Sequence, residues 1–259
     1  MVPRRPRRRL SIFYRTAGRF SLTKHTRPRD PVRPQRVRKS CVAIFARAPS
    51  PGRAKTRLIP LLGARGAADF QAALLADTVR KVSTLTGPIS RYIFISGHAF
   101  PINSTLANYT LEQQRGRDLG ERLGGAFRQL LQRHRAAIVI GTDSPLLPSR
   151  ILRQAVSELR SCDAVLGPCP DGGYYLIGLR RMSPGLFRGV RWGTAHAFRD
   201  SLGNILRQGI SCSILDPVAD IDRPEDFRRL ESEMANSPAA RRGAPAVWSF
   251  IRKHGSSDL

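Results

Sequence analysis

Five short stretches of the sequence gather residue types that can handle phosphate, a cation or a hydroxyl. The first runs Arg47-Ala-Pro-Ser-Pro-Gly52-Arg-Ala-Lys55-Thr-Arg57 and places four cations within eleven residues. Pro49 and Pro51 stiffen the chain there, and Gly52 lets backbone come close to a ligand. Lys55 supplies a point charge and Arg57 a planar fork, and Arg47 adds a third cation; all suit phosphate oxygens. The GxxxxGK[ST] spacing of a Walker loop is absent, and a solvated basic loop would have the same composition.

The second stretch, Ile138-Val-Ile-Gly-Thr-Asp143-Ser-Pro145, delivers one carboxylate from an apolar run into a turn. A hard cation such as Mg²⁺ takes one or two protein carboxylates together with substrate oxygens, and Asp143 suits that role; a turn or helix cap is the other common use. The third, Val218-Ala-Asp220-Ile-Asp222-Arg-Pro-Glu-Asp226, offers Asp222 as a partner for Asp143 in a metal site. Asp222 could equally cap a helix opening at Pro224. The fourth, Gly167-Pro-Cys-Pro-Asp171-Gly172-Gly173-Tyr174, is a turn that admits a ligand to the backbone. Asp171 there could accept or deprotonate a hydroxyl, and Tyr174 could stack on or hydrogen-bond a sugar; a plain Asp-Gly hairpin is the simpler alternative. In the fifth, Asp118 caps a following helix, with Glu121 and Arg122 in its first turns.

These stretches follow regular elements. Apolar runs predict strands over 41–47, 91–96, 136–141, 164–167, 174–179 and 212–215. Helical spacing predicts helices over 66–83, 119–133, 148–160, 194–207 and 224–234. Alternating strands and helices give an α/β sheet covered on both faces, whose ligands bind beyond the carboxyl ends of the strands. Arg47 to Arg57, Asp143 and the Asp171–Tyr174 turn each follow a predicted strand.

Composition narrows the function classes. The net charge of +25 is uneven: residues 1–39 hold 14 basic residues and one acid, while 40–234 hold 26 and 17. The leader, 1–39, and the tail, 235–259, read as disordered extensions around one domain at 40–234. Leu10, Phe13, Ala17 and Phe20 share a helical face in that Arg-rich, acid-poor leader. No apolar run approaches the length of a membrane span. Four cysteines without a CxxC pair, and five scattered histidines, match neither a disulfide scaffold nor a zinc-site spacing; reduced thiols point to the cytoplasm.

Together the stretches resemble a known family: bacterial GT-A-like glycosyltransferases, also called radical-SAM/selenodomain-associated transferases. The matching segments are Phe45 through Leu58, Asp118-Leu-Gly-Glu-Arg122, Gly141-Thr-Asp-Ser-Pro145, Gly167 through Gly178, Trp192-Gly-Thr194 and Asp220 through Asp226, in family order. Arg47 stands where the family has Lys, Arg223 where it has a small hydroxyl residue, and Cys169 where it has a small residue. The family is similar both to nucleotide-sugar glycosyltransferases and to nucleotidyltransferases such as phospholactate guanylyltransferase.

The resemblance implies a Rossmann-like GT-A fold, a single three-layer α/β/α domain with a mixed, mostly parallel sheet. It implies Lys55 and Arg57 on donor phosphates, Asp143 and Asp222 on Mg²⁺ or Mn²⁺, and transfer from a nucleotide sugar to a small-molecule acceptor. Asp171 and Lys55 are then the expected catalytic residues, and Asp171, Gly172, Gly173 and Tyr174 the substrate contacts. The alternative is nucleotidyl transfer from a nucleoside triphosphate to a phosphorylated small molecule, which the basic first loop favours. Nucleic-acid binding through the leader ranks last.

Overall fold

The computed structural model describes residues 39–97 and 106–254, so the leader up to Arg38 lies outside the described residues. Seven strands form one sheet in the order β3-β2-β1-β4-β6-β5-β7. The central strand β1 (Ser40–Arg47) is buried almost throughout and pairs in parallel with β2 (Ile89–Ser96) and β4 (Ala136–Ile140). β6 (Tyr174–Leu179) runs antiparallel to both its neighbours, β4 and β5 (Ala164–Pro168). β7 (Cys212–Ile214) and β3 (Thr110–Gln113) close the two edges in parallel.

Alternation along β1 explains the layers, since successive side chains of a strand point to opposite faces. Val42, Ile44 and Ala46 pack with Val79 and Val82 of α1 (Ile59–Ser83) and with Ile151 and Ala155 of α3 (Ser149–Glu158). Cys41, Ala43 and Phe45 pack with Leu123, Phe127 and Leu130 of α2 (Leu119–Arg133) and with Ile205 of α4 (Ala197–Arg207). The result is the mixed, mostly parallel α/β/α architecture expected from the sequence. No helix among the described residues is long and apolar enough to cross a membrane.

Three elements differ from expectation. Helix α1 begins at Ile59 rather than Gly66, after a 3-10 turn at Thr56–Leu58, and breaks at Gly63 (φ 66°, ψ 167°). A single glycine at positive φ lets the chain turn at residue 63 and resume helix. β3 has no apolar alternation because it is a half-exposed edge strand that needs only β2. The third difference is the tail, expected to be loose. It forms α6 (Pro238–Gly243) and α7 (Pro245–His254), following α5 (Pro224–Asn236).

The tail is ordered because α1 offers it an apolar face and a cap. Val247, Phe250 and Ile251 bury against Phe70 and Leu74 of α1 and Phe227 of α5. Each such side chain contributes roughly 1.5–3 kcal/mol. Asp77 of α1, with its side chain 2% exposed, accepts from the N–H groups of Ala246 (3.2 Å) and Val247 (2.9 Å) at the start of α7. A cap supplied by a side chain 169 residues away leaves no trace in the local sequence. Asp77→Ala should therefore destabilise the protein by about 2 kcal/mol. Urea denaturation followed by circular dichroism checks this; an unchanged midpoint would show that α7 does not depend on the cap.

Candidate functional site

The loops that leave the carboxyl ends of β1, β4 and β5, together with the segment before α5, converge at one end of the sheet. At their junction the Lys55 ammonium sits 2.7 Å from Asp143 Oδ1 and 3.0 Å from Asp222 Oδ1, and donates to the Ile221 carbonyl at 2.6 Å. A lysine has three donors, and these partners take all three. The Lys55 side chain is 5% exposed. Burial would lower its pKa, but Asp143 and Asp222 outweigh burial and raise it. Lys55 reaches this place through a left-handed backbone (φ 44°, ψ 46°), which a non-glycine residue adopts at a cost of about 1–2 kcal/mol. Lys55 therefore ties three segments together at the floor of the cleft that it lines.

Arg57 completes the bridge, with one guanidinium nitrogen 3.1 Å from Asp222 Oδ2 and the side chain otherwise exposed. Burial would raise the Asp222 carboxyl, but Lys55 and then Arg57 hold it below the usual carboxylate range. Asp222 does not cap α5. Asp226 accepts from the backbone N–H groups of Asp222 (3.2 Å) and Arg223 (2.9 Å) and takes that duty, so Asp222 is free for the site. Asp143 is held from behind: Ile221 N–H donates to its carbonyl (2.8 Å), and Gln71 Nε2 donates to the neighbouring Thr142 hydroxyl (3.2 Å).

The expected two-carboxylate metal pair takes a different form here. Asp222 has both oxygens engaged by cations and Asp143 has one, so the seat between them belongs to an ammonium. Arg47 projects into the same region, tied by one nitrogen to the Arg53 carbonyl (3.0 Å). Gly52 has φ 74° with open space around it, so its role is conformational. Arg47, Lys55, Arg57, Gln71, Asp143 and Asp222 line a cleft of about 490 Å³.

A second lobe of about 180 Å³ holds Asp171, Tyr174, Trp192, Cys169 and Asp220. Gly172 has φ 88°, and any Cβ there would meet the Ala195 carbonyl at 2.2 Å, so glycine is required to dock this turn on the 194–198 segment. Gly173 N–H donates to Asp171 Oδ1 at 2.9 Å. Tyr174 packs its ring edge-on to Trp192, while its hydroxyl is buried next to Ser201. Thr194 makes a local turn with Arg191 and His196, and α4 starts at Ala197. Asp118 caps α2 as expected, accepting from Glu121 N–H at 2.8 Å, while Glu121 pairs with Arg117. Arg122 and Gln114 line a third lobe of about 360 Å³ beside Arg47.

Two residues gain weight that sequence reasoning did not assign. Gln71 sits in helix α1, where its side chain read as one more polar helix position. Asp220 is crowded: burial, then Asp171, Asp222 and Asp143, push its carboxyl up to about 6. Its two-residue spacing from Asp222 was the available signal.

Residues 78–194 match the protein family DUF2064, described as an uncharacterized protein conserved in bacteria. A solved structure from Desulfovibrio desulfuricans G20, provisionally named a nucleotide-diphospho-sugar transferase, is 28% identical, with a TM-score of 0.71 over 83% of this chain and 97% of that one. The 4-diphosphocytidyl-2C-methyl-D-erythritol synthase of Anaerococcus prevotii DSM 20548 shares the fold at 12% identity and a TM-score of 0.51, over 76% of this chain and 96% of that one. None of the curated proteins matches the chain. The chain thus shares the Rossmann-like fold of these two structures.

Two outcomes follow from the charges. Lys55→Met leaves two carboxylates facing one another without their shared partner and should cost about 2–3 kcal/mol at pH 7, below the range for fully buried pairs because both carboxylates meet solvent. Adding Asp222→Asn should restore part of that loss in denaturant melts; no recovery would count against the bridge. The Asp220 pKa lies above its unfolded value, so the group opposes folding once ionised, increasingly from about pH 4 to pH 6. In chelator-treated protein, Asp220→Asn should raise the melting temperature at pH 7.5 and change it little at pH 4. Equal effects at both pH values would contradict the crowding.

Proposed function

We propose that this protein is a transferase acting on a nucleotide-activated donor, and that its leading reaction is glycosyl transfer from a nucleotide sugar to a small-molecule acceptor. The observation that carries this reading is the arginine-rimmed cleft built over the Lys55–Asp143–Asp222 bridge at the carboxyl end of the sheet. The 28% identical structural neighbour, provisionally named a nucleotide-diphospho-sugar transferase, supports it.

In this reading Arg57 and Arg47 hold the donor diphosphate, each still having guanidinium nitrogens to spare. Fixed positive charge at a leaving diphosphate lowers the barrier because that charge develops as the bond breaks. Lys55 acts one step back. It keeps Asp143 and Asp222 in place, and through them the β4 loop and the start of α5, so that the floor of the cleft does not collapse when the arginines engage phosphate. Asp171 orients the acceptor from the second lobe, where its Oδ2 is not used by Gly173. A divalent cation, Mg²⁺ or Mn²⁺ in the expectation from sequence, would add Lewis-acid neutralisation of the diphosphate. No step is assigned to one at Asp143 and Asp222, whose shared seat Lys55 fills.

A specific observation favours nucleotidyl transfer as the second reading. Arg47, Arg53 and Arg57 stand on one loop, more positive charge than a sugar diphosphate requires and enough for a triphosphate. One assay separates the two. The full chain is incubated with nucleotide sugars, or with nucleoside triphosphates and phosphorylated acceptors, each with Mg²⁺ or Mn²⁺. Release of nucleoside diphosphate, reduced about tenfold or more in Arg57→Ala, is the expected result. Release of pyrophosphate instead would select the second reading. Neither product, with no thermal stabilisation by any nucleotide, would reject both.

A further inference from the structure

The cleft carries a charge imbalance with a location. Asp143 and Asp222 are matched by Lys55 and Arg57. Asp171 and Asp220 face the same lobe, and among the described residues no salt bridge within 4.0 Å reaches either. The Cys169 sulfur joins them: one ligand atom from each of Cys169, Asp171 and Asp220 lies within 4.8 Å of the others. A divalent cation would offset the charge of these two carboxylates, and Arg57, which lines the same lobe, lies near enough to offset a thiolate.

A second observation is independent of these acids. Ser144, only 8% exposed, lines the same lobe, and its buried hydroxyl has no hydrogen-bond partner. The Cys169 sulfur, a weak acceptor, is within its reach but makes no well-aligned hydrogen bond with it. A buried hydroxyl without a partner is unfavourable, and an ion or its bound water would satisfy it.

The ligands are also held in advance. Tyr175 donates its hydroxyl proton to the Asp216 carbonyl at 2.8 Å, and Val218 N–H donates to the Pro168 carbonyl at 3.1 Å. These bonds zip the loop carrying Asp220 to the β5–β6 hairpin, whose turn carries Cys169. Cys169 N–H donates to the Gly173 carbonyl at 3.0 Å and closes the turn that carries Asp171. The three ligands come from two separate loops, so no sequence spacing announces them.

We propose that Cys169, Asp171 and Asp220, with Ser144 beside them, form a divalent-cation site distinct from the Asp143–Asp222 pair, with a preference for cations of the Zn²⁺ class over Mg²⁺. A thiolate with two carboxylates suits a borderline-soft ion in low coordination, whereas Mg²⁺ prefers six oxygens in a near-ideal octahedron. On binding, a metal–sulfur bond forms and the thiol proton passes to the buffer. The cation site does not depend on which transfer reaction the cleft performs.

Co²⁺ alone is the probe, added to the full chain after chelator treatment. The expected result is a sulfur-to-cobalt charge-transfer band in the near ultraviolet that saturates at one equivalent. The band should be displaced by Zn²⁺ and persist in excess Mg²⁺. It should vanish in Cys169→Ser and remain in the double variant Cys162→Ser/Cys212→Ser, which removes the two partly exposed thiols. Asp220→Asn, which keeps the thiol, should weaken Co²⁺ binding about tenfold or more. No band in the parent protein, a band that survives Cys169→Ser, or unchanged affinity in Asp220→Asn would overturn the site. Because none of these readouts involves turnover, the cation site and the transferase reading can fail separately.

Discussion

A buried ammonium group cannot be left without partners, and that demand organises this protein. Lys55 lies at the end of a long loop from β1, and its three hydrogens reach the loop after β4 and the segment before α5. Desolvating the charge is costly, so the bridge forms only when all three segments are correctly placed. The left-handed backbone at Lys55 is tolerated for the same reason: the surrounding contacts over-determine it. Arg57, two residues on, is then aimed at the cleft and keeps most of its guanidinium exposed.

The antiparallel strand β6 supplies the opposite wall. Inserted between β4 and β5, it makes the chain double back through the Asp171–Gly173 turn at the same end of the sheet as Asp143. A purely parallel order would need a crossover at that point and would not return the chain directly to this edge. The cleft therefore has a basic side from the first loop and an acidic side from the β5–β6 turn and the segment before α5. Such a division suits a donor rich in phosphate on one side and an acceptor on the other.

The way duties are shared among neighbouring carboxylates shows how tertiary contacts choose between equivalent local options. Asp222 and Asp226 both lie at the start of α5. Asp226 reaches back to accept from the N–H groups of Asp222 and Arg223 at the helix entry, while the Asp222 carboxylate faces the Lys55 ammonium instead. Asp77 looks like any acid in a long helix until α7 is docked beside it, where it becomes the acceptor that a distant helix start requires.

Much was legible without the fold. Period-two and period-3.6 patterns located six of the strands and five of the helices, because the apolar faces that those periods describe are the ones buried on the sheet. The motifs marked the loops that carry Arg47 to Arg57, Asp143, Asp171 and Asp222. Local pattern misses what local pattern does not cause. β3 is held by one neighbour, and the tail helices are held by α1. The arrangement within the cleft also depends on contacts between residues far apart in the chain: Lys55 tied to Asp143 and Asp222, the Tyr174 hydroxyl turned into the core, and Cys169 brought to Asp220. Sequence determines which side chains stand at the carboxyl edge of the sheet. Tertiary structure alone decides which of them neutralise one another and which are left facing a ligand, since electrostatic pairing depends on distance in space and on burial.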